Sequence, residues 1–185
     1  MNDFAFYFEI GWKHIVSRDA LDHQLFILAL AAIYLLNNWK QVLILVTAFT
    51  IGHSFTLALS VYNVVRMSSN WVEFLIPLTI VLTALFNLLQ KDFSKNSLRF
   101  NYVLALFFGM AHGLGFANTI RFMLAKDELV TWPLFSFNVG LEAGQILVVG
   151  LILLTSYLVV NKAGLPRRAW VWILSLLALI SATII

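Results

Sequence analysis

The residues of this chain that could do chemistry are histidines and carboxylic acids inside or beside long apolar segments. All four histidines of the 185-residue chain belong to this group. Imidazole and carboxylate together suit borderline divalent metals such as zinc, nickel or cobalt. The chain has no cysteine, which excludes disulfides and a thiolate metal site. The predicted metal ligands are His14, Asp22, His23, His53, His112 and Glu142.

Further polar residues are expected to support these ligands. A histidine that binds a metal usually donates its other ring N–H to a carboxylate or a carbonyl. The i,i+4 spacing of Asp19 and His23 places both on one helical face. The spacing of Asn138, Glu142 and Gln145 likewise forms one stripe. The predicted supporting residues are Asp19, Ser54, Glu73, Asn138 and Gln145.

The elements that must position these residues are membrane helices. The chain is 61% hydrophobic and 11% charged, whereas soluble domains are about 45–50% apolar and about 25% charged. A spanning helix needs about 20 mostly apolar residues. The sequence therefore predicts an all-α integral membrane protein, a polytopic bundle that forms one transmembrane domain over residues 1–185. The six predicted spans are residues 21–37, 40–63, 71–90, 100–123, 133–160 and 168–185.

The N-terminal segment, residues 1–18, differs from these spans. It mixes aromatic residues with Asp3, Glu9 and Lys13, a composition typical of helices that lie at the membrane surface. We expect an interfacial helix, and the sequence leaves open whether it adds a seventh helix to the bundle. His14 then lies outside the predicted spans.

The depth of the ligands follows from the alternating direction of successive spans and a rise of 1.5 Å per residue. His53 lies about 20 Å from the start of span two, and His112 lies about 18 Å from the start of span four. Both spans start on the same side of the membrane. Glu142 lies about 13 Å from the opposite side. In a core about 30 Å thick these three residues share one level, in the half from which Asp22 and His23 enter. We therefore expect one site near the outer face.

Two pairs of glycines flank the predicted ligands on spans four and five. Gly109 and Gly113 surround His112, and Gly140 and Gly144 surround Glu142. Small residues at this spacing let two membrane helices approach closely. Close helix packing and room for an ion are both compatible with this pattern.

The orientation in the membrane follows from the distribution of lysine and arginine, because these residues are more frequent in loops on the cytoplasmic side. Five basic residues fall on the side of the N-terminus: Lys13, Arg18, Arg66, Arg121 and Lys126. Seven fall on the other side: Lys40, Lys91, Lys95, Arg99, Lys162, Arg167 and Arg168. The count predicts an N-terminus outside the cytoplasm. Because the charge is spread over the loops, no nucleic-acid partner is expected.

Five segments of the chain resemble a known membrane protein family. They are "GWKHIVSRDALDHQLF", "VTAFTIGHSFTLAL", "VEFLIPLTIVL", "FGMAHGLGFA" and "FNVGLEAGQ". Together they are similar to the HupE/UreJ proteins, which are associated with hydrogenase and urease gene clusters and regarded as nickel permeases or accessory proteins. The family's His-x5-Asp-His motif has its counterpart in His14, Asp22 and His23, with seven residues after the first histidine instead of five. The resemblance implies metal ligands at the same six positions, metalloenzyme maturation partners and a bacterial cytoplasmic membrane.

Three functions remain open from the sequence. The first is transport or delivery of a divalent transition metal, although a site near one face is unusual for a transporter. The second is a metal-dependent intramembrane hydrolase, in which Glu142 or Asp22 would serve as the base. The third is a structural or accessory subunit whose polar residues only join helices. The sequence leaves open whether the protein is an enzyme, which metal binds and how many copies assemble.

Overall fold

The computed structural model describes residues 3–90, 95–123 and 131–184, and for residues 3, 95–100 and 117–123 it describes the backbone alone. In these ranges the chain is all helical and has no strand, which confirms the all-α part of the predicted fold class. The seven helices are α1 (Asp3–Val16), α2 (Leu21–Ala31), α3 (Trp39–Val61), α4 (Ser69–Leu89), α5 (Lys95–Met123), α6 (Thr131–Ser156) and α7 (Arg167–Ala182). A 3-10 turn, Leu36–Asn38, precedes α3, and a π-helical turn, Tyr157–Lys162, extends α6.

Three stretches of the described chain are long and apolar enough to cross a membrane. They are Leu36–Val61, Ser69–Leu89 and Thr131–Lys162. Two further apolar helical stretches are shorter, Leu21–Ala31 and Asn101–Phe116. Helices α3, α4, α6 and α7 begin within a few residues of the predicted spans, and α5 begins five residues earlier than predicted.

The first predicted span, residues 21–37, is wrong in extent. Helix α2 ends after 11 residues, about 16 Å, which is too short for a core about 30 Å thick. Helix α1 precedes it and packs on the same neighbour, α6. Helix α1 lies against Phe137–Gly144, and α2 shares a groove with Leu147–Ile152. The two short helices therefore lie end to end along α6, as one helical path interrupted at Ser17–Ala20.

Helix α1 packs closely along α6 as part of the bundle. A Cβ atom at Gly11 would collide with the backbone carbonyl of Phe137, and one at Gly140 with the carbonyl of Phe8. Only glycine lets two helix backbones approach this closely. These contacts fix the position of α1 against α6.

Helices α3 and α5 pack by the same rule. A Cβ at Gly52 would collide with the carbonyl of Leu106, and one at Gly109 with the carbonyl of Phe49. In both helix pairs each glycine faces the carbonyl three residues before the partner helix's glycine. The predicted close approach at Gly109 and at Gly140 is confirmed.

The interruption between α1 and α2 is held by hydrogen bonds. The last carbonyls of a helix have no partner within that helix. Here the side-chain amide of Gln24 donates to the carbonyls of Ile15 (3.0 Å) and Ser17 (2.8 Å). A side chain from the first turn of α2 therefore caps the end of α1 and fixes how the two helices meet.

Candidate metal centre

Three histidines meet at the interruption. His14 lies in the last turn of α1, His23 in the first turn of α2, and His53 in α3. Each offers a ring nitrogen, and these three atoms lie within 4.8 Å of one another. Nitrogens that bind one tetrahedral ion with bonds of about 2.1 Å lie about 3.4 Å apart. The three nitrogens, within 4.8 Å of one another, can therefore reach the spacing of one bound ion by small rotations of the rings.

The ring nitrogens of this cluster lack protein partners. Nε2 of His14, Nε2 of His23 and both nitrogens of His53 are buried and accept or donate no hydrogen bond within the described part of the chain. Buried polar atoms in proteins are hydrogen-bonded in the great majority of cases. A metal ion is a partner that bare imidazole nitrogens can bind, so the cluster fits a transition metal.

Two of the four histidines are held in a fixed orientation. Nδ1 of His23 lies 2.9 Å from Oδ1 of Asp22, which also accepts the backbone N–H of His23 at 2.8 Å. Nδ1 of His112 donates to the carbonyl of Phe108 at 2.8 Å. In both residues Nδ1 is engaged and Nε2 is left bare, the arrangement typical of histidines that bind metals. In this geometry Asp22 orients His23.

His112 lies beside the cluster. Its ring centroid is 4.9 Å from that of His23, and its Nε2 is buried without a hydrogen-bond partner in the described residues. It is not among the three histidines whose nitrogens lie within 4.8 Å of one another. The four histidines therefore lie together, with His14, His23 and His53 at the centre and His112 at the edge.

A cavity of about 240 Å³ adjoins three of the histidines. Its rim includes Met67 and Ser69 of the α3–α4 segment, together with the exposed Glu73. The cavity therefore reaches the histidines from the end of the bundle where α3 ends and α4 begins. The lining residues are His14, Asp22, His23, Met67, Ser69, Val72, Glu73, Ile76, His112, Leu114, Gly115 and Phe116.

The position of His53 along its helix agrees with the sequence-based depth, whereas that of Asp22 and His23 differs. His53 is about 12 Å from the end of α3, and His14 is about 16 Å from the start of α1. The sequence-based depth took Asp22 and His23 as the first residues of span one. Because α1 precedes them along α6, they lie near the middle of the combined path of α1 and α2.

Glu142 is not brought together with the histidines. Its Oε1 accepts a hydrogen bond from Thr47 at 2.7 Å, and Thr47 lies six residues, about 9 Å, before His53 on α3. Gln145 is buried and accepts from Thr50 at 2.8 Å. These two α6 residues therefore join α6 to α3.

The other predicted supporting residues have separate positions. Ser54 donates to the carbonyl of Thr50 in its own helix at 2.7 Å. Oδ1 of Asn138 is buried and has no hydrogen-bond partner in the described residues. Both residues belong to the helices that carry or face His53, and neither lines the cavity.

Asp19 does not share a helical face with His23, because Ser17–Ala20 is not helical. Its exposed side chain lines a second, open groove with Arg18, Asp22 and Glu73. Glu73 belongs to both the groove and the cavity. The groove and the cavity therefore share an acidic rim beside the interruption.

The interruption is the feature that the sequence reasoning missed. A usable signal was the repeated Gly-x-x-His, which occurs at Gly11–His14 and again at Gly109–His112. In both cases the glycine makes a close helix contact and the histidine follows one turn later. The repeat indicates that α1 packs on its partner helix in the same way as α5.

A comparison with protein families identifies the chain over its whole length. The chain matches the model of the family described as "HupE / UreJ protein" over residues 1–185. No curated protein and no solved structure matches it. The match covers the α1–α2 interruption and every histidine of the cluster. The chain therefore belongs to the HupE/UreJ family.

Proposed function

We propose that this membrane protein binds a divalent transition metal through His14, His23 and His53 and carries it across the membrane. Nickel and cobalt are the metals that the family suggests, and zinc fits the same imidazole ligands. The observation that carries the proposal is the set of three bare imidazole nitrogens within 4.8 Å at an interrupted helix.

The position of the cluster supports transport. Many secondary transporters bind their substrate near the bilayer midplane, at helices that are discontinuous there. Here His14 ends one helical segment and His23 begins the next, deep within the bundle. The cavity lets an ion reach both residues from the end of the bundle where α3 ends and α4 begins.

A purely structural role for the histidines is less well supported. Histidines that only join helices would be hydrogen-bonded to them, since an unpaired buried polar atom destabilises the fold. Neither ring nitrogen of His53 has such a partner in the described residues, and the residue is fully buried. The cluster instead retains its capacity to bind a ligand.

A hydrolase would need a free base beside a metal-bound water. The two acids that the sequence offered as the catalytic base, Asp22 and Glu142, are both hydrogen-bonded to protein groups. Asp22 accepts two hydrogen bonds from His23, and Glu142 accepts one from Thr47 and does not line the cavity. We therefore favour transport over hydrolysis.

The distribution of basic residues supports an N-terminus outside the cytoplasm. Lys13 lies within α1 and Arg18 lies between α1 and α2, so neither belongs to a loop at the end of the bundle. Without these two, the sequence count of five against seven becomes three against seven. Two residues in that count, Lys91 and Lys126, lie outside the described residues. In this orientation the cavity opens outward, and metal would move toward a cytoplasmic metalloenzyme that requires it.

The metal site is tested by measuring bound metal in the purified full chain. Isothermal titration with nickel, cobalt and zinc, together with elemental analysis, should give one high-affinity ion per chain. We expect His53→Gln to weaken binding at least 100-fold. Ser175→Ala, a buried polar substitution on α7, is the matched control and should bind normally. Equal affinity in the wild type and H53Q would exclude this site.

Transport is tested separately in proteoliposomes that enclose a metal-sensitive dye. The wild type and S175A should move metal inward, whereas H53Q should not. Binding without movement would favour a metal-storage or enzymatic role.

A further inference from the structure

Three cations lie close together in the chain where α6 passes into α7. Lys162 ends the π-helical turn that extends α6, and Arg167 and Arg168 begin α7. Only residues 163–166 separate these two elements, so the three cations share one end of the bundle. The stretch Thr131–Lys162, which is long and apolar enough to cross a membrane, ends at the same point. This corner therefore lies where the surface of a membrane is expected.

The neighbouring sequence supplies no carboxylate to neutralise these cations. Glu142 is the last acid of the chain, so residues 143–185 carry three positive charges and no negative charge. Arg167 is turned into the bundle, where its guanidinium donates to a backbone carbonyl just after α2. Lys162 and Arg168 are exposed, and within the described ranges neither forms an ion pair with an acid. Two of the three charges are therefore available to a partner from outside the chain.

Aromatic rings position the two exposed cations. The ammonium of Lys162 lies 5.8 Å from the ring centroid of Tyr157, and the guanidinium of Arg168 lies 5.9 Å from that of Trp172. Tyrosine and tryptophan are enriched at the level of lipid headgroups in membrane proteins. A cation that contacts the face of a ring keeps N–H groups that can still donate to an acceptor. Each cation is thus held in place with donors left for an oxyanion.

An open groove leads away from Arg168 along the outer side of α7. The groove has a volume of about 550 Å³ and is lined by Arg168, Ala169, Trp172, Ile173 and Leu176. Arg168, Trp172 and Leu176 recur at four-residue intervals, so they form one stripe along the helix. The stripe is about 12 Å long, most of the roughly 15 Å depth of one lipid leaflet. The lining is charged at one end and apolar along the rest.

We propose that the α6–α7 corner binds an anionic phospholipid, with the phosphate at Lys162 and Arg168 and one acyl chain along the groove. Charge complementarity favours this occupant, because the corner offers two cations without an acidic counterpart beside an apolar surface. Both side chains are suited to phosphate, which arginine can bind with two parallel hydrogen bonds. Since Arg167 ties the same turn to the segment after α2, a lipid bound here would stabilise α7 in the bundle. The proposal does not depend on metal transport.

Thermal melting of the purified, lipid-depleted full chain tests the two cations. Phosphatidylglycerol should raise the melting temperature by about 5 °C, and phosphatidylcholine with the same acyl chains should not. The double variant Lys162→Gln, Arg168→Gln should fold normally, because both side chains are exposed, and should lose this increase. The matched control is Lys40→Gln, since Lys40 is exposed at the start of α3 and also lies over a tryptophan ring, that of Trp39. Equal stabilisation by the two lipids, or of the double variant by phosphatidylglycerol, would overturn the proposal.

A second measurement tests the groove and separates a lipid from a free anion. Native mass spectrometry should show phosphatidylglycerol retained on the wild-type chain. Leu176→Asn keeps both cations but places an amide in the groove, so retention should fall roughly tenfold. Ile180→Asn, an exposed position one turn further along α7 and outside the groove, is the control and should retain the lipid. Equal retention by the two variants, or equal stabilisation by inorganic phosphate alone, would contradict a bound phospholipid.

Discussion

Replacement of Asp22 distinguishes an orienting residue from a metal ligand. The carboxylate accepts the Nδ1 proton of His23 at 2.9 Å and its backbone N–H at 2.8 Å. Asp22→Asn keeps an oxygen acceptor at the same place and removes the negative charge. Asp22→Ala removes both. If Asp22 acts through His23, the two substitutions must therefore have graded effects on metal affinity.

The expected loss of metal affinity follows from the orienting role of a carboxylate that is hydrogen-bonded to a metal-binding histidine. Loss of the group that orients a metal-bound histidine costs about 10–100-fold in metal affinity. D22N retains the hydrogen bond and should lose about tenfold, or about 1.4 kcal/mol. D22A leaves His23 free to rotate and should lose about 100-fold, or about 2.7 kcal/mol. His23→Gln, which removes the ligand itself, should lose more than either.

The measurement is isothermal titration of nickel or zinc into purified protein, with a competing chelator for the tighter complexes. Thermal melting of each variant in detergent reports whether the fold persists. A different order would refute this assignment. If D22N and D22A lose equally, and as much as H23Q, the carboxylate is itself a ligand, since an amide is a poor substitute for it.

Two further predictions concern the frame that holds the cluster. Gly140→Ala should lower the melting temperature by several degrees, because the added methyl collides with the carbonyl of Phe8 and overpacking costs about 1–3 kcal/mol. The control is Gly150→Ala, whose added methyl meets nothing within 4 Å. Equal melting temperatures of the two variants would contradict this packing. Gln24→Leu should weaken metal binding by about tenfold, because the carbonyl of Ile15 loses its side-chain donor at about 1–3 kcal/mol, the carbonyl of Ser17 keeps only the N–H of Ala20, and the two helix ends are free to shift. Unchanged affinity would show that the interruption does not depend on Gln24.

Much of this architecture is readable from the sequence, because lipid imposes simple rules. Long apolar runs must be helical, since a bilayer offers no water to satisfy the backbone. Helices α3, α4 and α6 accordingly lie close to where apolar length places them. The convergence of His23, His53 and His112 likewise follows from alternating direction and helical rise.

The interruption between α1 and α2 was not predicted, because neither helix has the length that identifies a span. Helix α1 has 14 residues and α2 has 11, and α1 carries Glu9 and Lys13, which form an ion pair at 2.6 Å. A charged, aromatic segment of this length has the composition of a surface helix. Only its glycine contacts with α6, which are long-range in sequence, place it inside the bundle.

Glu142 shows why helical phase alone did not assign the ligands. The stripe of Asn138, Glu142 and Gln145 does face the protein, as its spacing indicated. Which neighbour it meets depends on how α6 is rotated, and that rotation is set by Gly140 and its contact with α1. With this face of α6 occupied by α1, the stripe meets Thr47 and Thr50 of α3 instead of the histidines.

The two glycine-packed pairs explain why the cavity opens on one side. His14 and His112 hold equivalent places, each one turn after a glycine that contacts a partner helix. Helix α1 ends two residues after His14, whereas α5 continues for 11 residues beyond His112. The ended helix leaves room next to His14 and His23, and the continuing one supplies Gly115 and Phe116 to the cavity lining, with the Phe116 ring 4.1 Å from that of His14. The cavity therefore approaches the histidines from one end of the bundle, while the bare nitrogens themselves stay buried. One-sided access of this kind is what the proposed transport site needs before an ion has moved.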